Sequence, residues 1–108
     1  MDVKEPRQPR KRPLNEFCEI EPKLLRKSMM GASDWVYWGN AVGPRGFYSA
    51  GESPSFQFKG AKYELAKEGP GLAAINALIQ KLYMDGWQTV GIGRSWWDLK
   101  FRRGVREG

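Results

Sequence analysis

The 108-residue chain has no histidine and one cysteine, Cys18. Without histidine it lacks the commonest general base and the commonest zinc ligand in proteins. A single cysteine cannot form a disulfide within the chain, which excludes a disulfide scaffold and a zinc site built from several cysteines. Cysteine use of this kind is typical of a reducing compartment, so we expect a cytoplasmic protein.

Long apolar segments are also missing from the sequence. No apolar run approaches the roughly 18–20 residues that a membrane-spanning helix needs. The N-terminal residues 1–17 are polar and lack the apolar core of a secretory signal. We therefore expect one small domain with no membrane partner.

The sequence contains no arrangement of side chains that favours catalysis. Cys18 has no histidine to activate it, and the neighbouring Glu19 and Glu21 would raise the pKa of its thiol. The carboxylates show no paired spacing typical of acid–base chemistry. The segment GIGRS (91–95) precedes a predicted strand instead of opening a helix, so it does not fit a phosphate-binding loop. We expect a protein that is not an enzyme and needs no cofactor.

The chain is rich in positively charged and aromatic side chains. Its Lys and Arg residues number 18 against 12 Asp and Glu, and 13% of its residues are aromatic, including five Trp. The net charge of +6 favours polyanionic partners such as nucleic acid or an anionic membrane. The aromatic residues provide ample apolar area for a compact core.

We predict three segments along the chain. Residues 1–16 form a proline-rich basic tail, which we expect to be disordered and which is either a nucleic-acid arm or a solubilising terminus. The basic residues of this tail are Arg7, Arg10, Lys11 and Arg12. Residues 17–33 are predicted as a partly ordered arm that docks through apolar side chains. Those side chains are Leu24, Leu25, Met29 and Met30. Residues 34–104 form the folded domain.

The clearest element is a helix over residues 69–86. Apolar residues recur at helical spacing along one stripe, and glycine supplies the left-handed position at the C-terminal end. The stripe consists of Leu72, Ile75, Leu78, Ile79 and Leu82, and the terminal glycine is Gly86. Aromatic and β-branched segments on either side read as strands. The sequence therefore predicts an α+β fold: a two-layer sandwich in which one helix covers a four-stranded, mainly antiparallel ββαββ sheet.

A single helix leaves one sheet face without cover. In the last strand Trp97, Leu99 and Phe101 alternate with Trp96, Lys100 and Arg102, and we expect the apolar set to face the helix. Rings among cations on the uncovered face indicate single-stranded nucleic-acid binding. The predicted stacking residues are Trp35, Tyr37 and Trp96. The predicted phosphate contacts are Lys100, Arg102, Arg103 and Arg94.

Other interpretations remain open at this point. Trp35 and Trp96 can be cross-strand neighbours that stabilise the sheet, with the basic residues as its solvated surface. An aromatic face is also an ordinary interface for a symmetric homodimer. A sugar or another flat ligand is a third candidate for the rings.

The C-terminal run matches the pattern GWxxVGxGxxWWxxxFRR. This pattern resembles that of small uncharacterised prokaryotic proteins in which a helix leads to a VGxG strand, a Trp pair and a basic end. The matching residues are Leu82, Gly86, Trp87, Val90, Gly91, Gly93, Trp96, Trp97, Phe101, Arg102 and Arg103. CEI (18–20) and the segment 47–56 resemble other parts of the pattern. The resemblance implies a recurring fold, and the group has no established activity.

Overall fold

The computed structural model of the chain describes residues 14–90 and 99–105. These residues form a small α+β fold with an antiparallel sheet and, within the described ranges, one α-helix. The elements are β1 (Leu14–Arg26), β2 (Ser33–Gly43), β3 (Gly46–Glu52), β4 (Phe56–Phe58), α1 (Gly69–Met84), β5 (Gln88–Thr89) and β6 (Lys100–Val105). The predicted tail, residues 1–16, lies mostly outside the described residues.

The sheet has six strands rather than the predicted four, in the order β3-β2-β1-β6-β5 with β4 also paired to β2. The additional central strand is β1, which occupies most of the segment predicted as an arm. Cys18 pairs with Ala41 of β2 on one side and with Phe101 of β6 on the other. Because both partners lie far away in sequence, the local pattern did not show the full length of this strand.

The segment after the β2–β3 turn is divided into two short strands. β3 and β4 follow one another along the same edge of β2, and Ser53 fills the gap between them. The Tyr37 backbone N–H donates to Ser53 Oγ at 3.0 Å, and the Ser53 N–H donates to the Tyr37 carbonyl at 2.8 Å. Ser53 thus keeps the edge of β2 hydrogen-bonded where the chain bends at Pro54.

Helix α1 packs against β2, β3 and β4. Its buried stripe begins at Gly71 rather than at the predicted Leu72, which is 39% exposed. The helix ends as predicted, because Gly86 has a φ of 94° and takes the left-handed position after the last turn. No helix among the described residues has the length and apolar character needed to cross a membrane.

The core lies between α1 and one face of the sheet. Side chains from β1, β2 and β6 meet the buried stripe of the helix there, and Trp87 closes the junction after the helix. The fully buried members are Cys18, Tyr37, Leu65, Leu78, Leu82, Trp87 and Phe101. Tyr37 stacks on Phe56 with ring centroids 5.1 Å apart, which adds to the stabilisation from apolar burial.

We expect replacement of Gly71 by Ala to destabilise the fold, although Ala is favoured over Gly inside a helix by about 1 kcal/mol. The reason is space: a Cβ at Gly71 would lie 1.6 Å from the Leu65 carbonyl oxygen. Urea unfolding should show a loss of at least about 2 kcal/mol for Gly71→Ala. Asn76→Ala on the exposed side of α1 is the control and should leave stability equal or higher. A gain of stability from Gly71→Ala would contradict the close approach.

Candidate functional site

The register of the sheet defines which side chains share a face. Directly paired residues point to the same side, so Cys18 and Ile20 face the helix together with Ala41. The intervening residues Phe17 and Glu19 face the other way. We call this second side, away from α1, the open face.

Two rings of β2 were predicted to lie on the uncovered face of the sheet, and that assignment was wrong. Trp35 and Tyr37 lie on the helix side, where Trp35 packs against the core and Tyr37 is 0% exposed. The sequence shows which residues of β2 alternate, but not which set the helix covers. Tyr37 therefore cannot stack on a ligand at the open face.

The basic residues of β6 divide between the two faces. Leu99 and Phe101 contribute to the core as predicted, while Lys100 and Arg102 are exposed on the open side. Lys100 Nζ lies 3.3 Å from Glu19 Oε2, so its charge is partly neutralised. The predicted site residues Arg94 and Trp96 lie outside the described residues.

Arg103 was predicted as a phosphate contact, but its guanidinium group is hydrogen-bonded to other residues on the helix side of the sheet. Its Nε and Nη2 each lie 3.0 Å from Glu16 Oε2, and its Nη1 donates to the Asp85 carbonyl at 3.0 Å. Nη2 also donates to the Tyr48 hydroxyl at 3.2 Å. With these donors engaged, Arg103 has little hydrogen-bonding capacity left for a ligand.

The same arginine connects four parts of the chain. Its guanidinium carbon lies 4.5 Å from the centre of the Trp87 ring, a cation–π contact. Tyr48 donates a second hydrogen bond to Glu16, and burial together with that bond raises the pKa of Tyr48. We call Glu16, Tyr48, Trp87 and Arg103 the arginine network. It joins β1, β3, β6 and the end of α1.

On the open face the structure brings together a row of residues from four neighbouring strands. Phe17 pairs with Arg102 of β6 and with Val42 of β2, and Val42 pairs with Phe47 of β3. We call Arg102, Phe17, Val42 and Phe47 the aromatic row. Phe17 is 50% exposed and Phe47 is 79% exposed, so both rings are accessible.

Three members of the aromatic row are sequence neighbours of the arginine network. Glu16 precedes Phe17, Phe47 precedes Tyr48, and Arg102 precedes Arg103. Since successive strand residues point to opposite faces, the network on one side fixes the three strands that present the row on the other. Further along the open face Val36 is buried and Trp38 is partly buried, so the exposed rings concentrate in the row.

Sequence reasoning did not identify Phe17 and Phe47 as candidates. Phe17 was placed in the arm, and Phe47 was placed in a strand without an assigned face. The only signal was the chain position of Phe47 next to the turn at 43–46, which places it at an end of the sheet. That turn also carries the exposed Arg45.

Cys18 and the carboxylates show no sign of a reactive centre. Burial, and then the charge of Glu19, raises the pKa of the Cys18 thiol to about 11. Little thiolate is therefore present at neutral pH. Among residues 14–90 and 99–105, no group of three Cys, Asp or Glu side chains is placed to hold a metal ion.

Comparison of the chain with protein-family models, curated proteins and solved structures gives no match. Functional reasoning for this protein therefore starts from the aromatic row and its surroundings.

The two adjacent arginines of β6 should respond differently to removal. Arg103→Ala leaves the partly buried Glu16 without its cation and should lower the free energy of unfolding by about 2–3 kcal/mol. Arg102→Ala removes an exposed side chain and should change it by less than about 0.5 kcal/mol. Urea unfolding of both variants makes the comparison. Equal effects would contradict the assignment of Arg103 to a structural network.

Stability should fall in alkaline solution, and Cys18 should account for part of the fall. Its pKa rises from 9.0 to about 11 on folding, so its contribution is complete below pH 9 and disappears as the pH rises through the folded value. Between about pH 8 and pH 10, the titration of Cys18 should lower the free energy of unfolding by about 1.4 kcal/mol. Unfolding measurements on Cys18→Ala should show a decline shallower by that amount. An identical pH dependence in the two proteins would contradict the burial of a neutral thiol.

Proposed function

We propose that this protein is a non-enzymatic binding module that holds single-stranded nucleic acid on the aromatic row. The observation that carries the proposal is one continuous row across four strands, in which the exposed Phe17 pairs with Arg102 and the exposed Phe47 follows beyond Val42. Every base has a π-face, so rings in such a row bind unpaired bases with little regard to sequence. Paired bases in a duplex do not offer those faces.

The spacing within the row suits neighbouring unpaired bases. Phe17 and Phe47 lie on strands separated by β2, and two strand spacings amount to about 10 Å. Val42 lies between them and provides an apolar floor. A flexible single strand can place one base on each ring and run its backbone along the row.

Two described arginines lie at this end of the sheet, and further cations are close to its strands in the sequence. Arg102 ends the row on β6, and the exposed Arg45 lies in the turn directly beyond Val42 and Phe47. In the sequence, Lys11 and Arg12 come shortly before Leu14 of β1, and Arg106 follows Val105 of β6. Contacts from such residues to phosphates supply affinity without base specificity.

The same features support a role in binding rather than catalysis. The raised pKa of Cys18 leaves its thiol protonated and buried, and the exposed row carries no group poised for proton transfer. We also propose a cytoplasmic location. A single unpaired cysteine is typical of a reducing compartment, and single-stranded nucleic acid is present there.

Self-association through the open face is the second candidate function. Behind the row, charges of both signs lie close together: Lys100 pairs with Glu19, and the exposed Glu52 lies on β3. A surface with both signs complements a second copy of itself better than it complements a polyanion. In this alternative Phe17 and Phe47 are buried between two copies.

The leading proposal is tested by titrating the full chain with oligothymidylate and following fluorescence polarisation of the labelled strand. Phe17→Ala and Phe47→Ala should each weaken binding by about 1–3 kcal/mol. Arg102→Ala should also reduce the slope of affinity against salt by about one. Tyr63→Ala is the matched control, because Tyr63 is 68% exposed but lies on the turn before α1. It should bind like the wild type.

Two outcomes would contradict the nucleic-acid proposal. One is equal affinity of the wild type and the Phe47→Ala variant. The other is the absence of saturable binding, together with a doubled mass by sedimentation equilibrium that Phe47→Ala returns to the monomer value. That second result would favour self-association.

A further inference from the structure

The hairpin between β1 and β2 ends in an exposed apolar tip at the opposite end of the sheet from the aromatic row. Its last ladder pair is Arg26 with Asp34. The Gly31 N–H donates to Ser28 Oγ at 3.0 Å, and the Ser28 N–H donates to Ser33 Oγ at 3.1 Å. These bonds define the turn without using any apolar side chain.

Two methionines occupy the apex of this turn. Met29 is 96% exposed and Met30 is 92% exposed, and neither belongs to the core. Behind them Leu24 and Leu25 are 44% and 51% exposed. The ladder register shifts by one residue between Leu24 and Arg26, which leaves Leu25 as the extra residue of a bulge. The two exposed leucines thus extend the apolar surface from the apex along β1.

Positive charge accompanies this apolar surface. Lys23, Arg26 and Lys27 are exposed on the same end of the hairpin. Asp34, opposite Arg26, is the one acidic residue among 22–34. The residues around the tip thus carry a clear excess of positive charge.

We propose that the hairpin tip, residues 24–30, binds the surface of a lipid bilayer with anionic headgroups. Met29 and Met30 enter the boundary between headgroups and acyl chains, and the basic residues contact the lipid phosphates. The expectation of no membrane partner rested on the lack of a long apolar run, and binding at the bilayer surface needs no such run.

The shape of the tip favours a bilayer over other occupants. A hairpin end with two methionines at its apex and basic side chains beside them enters a fluid anionic layer, which covers the apolar groups and neutralises the charges. A partner protein that contacts one side of the apex would leave part of this apolar surface in water. Nucleic acid would gain little from the tip, since methionine offers no ring on which a base could stack.

This inference does not depend on the proposed nucleic-acid site. From Phe17 to Arg26 the strand advances by nine residues, which places the tip about 30 Å from the aromatic row. The two surfaces can therefore be altered separately.

The test is flotation of the full chain with vesicles of equimolar phosphatidylglycerol and phosphatidylcholine, compared with vesicles of phosphatidylcholine alone. The wild type should float with the anionic vesicles only. Replacing both Met29 and Met30 by Ser should reduce the bound fraction roughly tenfold, because the apolar contribution to binding is lost. Arg26→Gln with Lys27→Gln should reduce it further at moderate salt.

The matched control is Met84→Ser, since Met84 is 85% exposed at the end of α1. It should float like the wild type. If the Met29 and Met30 double variant floats as well as Met84→Ser, bulk positive charge causes binding and the inference is overturned. Failure of the wild type to float overturns it as well. The substituted side chains are all exposed, and circular dichroism of each variant checks that it is folded.

Discussion

The attachment of Arg103 to Glu16 is the interaction on which the rest of this structure depends. It joins two strands whose residues lie 87 positions apart in the chain, and the same guanidinium reaches Tyr48, Trp87 and the end of the helix. Each contact is a modest contribution alone, but charge-assisted bonds to a partly buried carboxylate are stronger than neutral ones. One side chain thus fixes how β1, β3, β6 and α1 meet.

The arginine network also fixes the positions of residues on the other side of the sheet. Because neighbouring residues alternate between faces, fixing Glu16, Tyr48 and Arg103 also fixes Phe17, Phe47 and Arg102. The rings gain a defined position without needing to be buried themselves. That combination of rigid backbone and exposed ring reduces the entropy lost when a ligand is bound. The hairpin tip is different, since hydrogen bonds to two serine hydroxyls hold its turn.

Local patterns predicted the elements that carry their own signal. The helix at 69–86 and the alternation of Leu99 and Phe101 with Lys100 and Arg102 both follow from short-range spacing. Most of β1 was predicted as a partly ordered arm, because the strand depends on pairing with the distant β2 and β6. Phe17 was placed in that arm, and the faces of Trp35 and Tyr37 were reversed because the sequence does not show which side of β2 the helix covers. In the sequence Arg103 cannot be told apart from an exposed cation. Only the structure shows that Glu16 and Tyr48 lie beside it.

The most direct test of the account is an amide NMR titration of the full chain with oligothymidylate. We expect the largest shift changes at the aromatic row: Phe17, Val42, Phe47 and Arg102. Residues of the α1 stripe, such as Ile75 and Leu78, should stay unchanged. Changes confined to the hairpin tip, or no saturable change in the row, would contradict the claim that the open face of the sheet binds single strands.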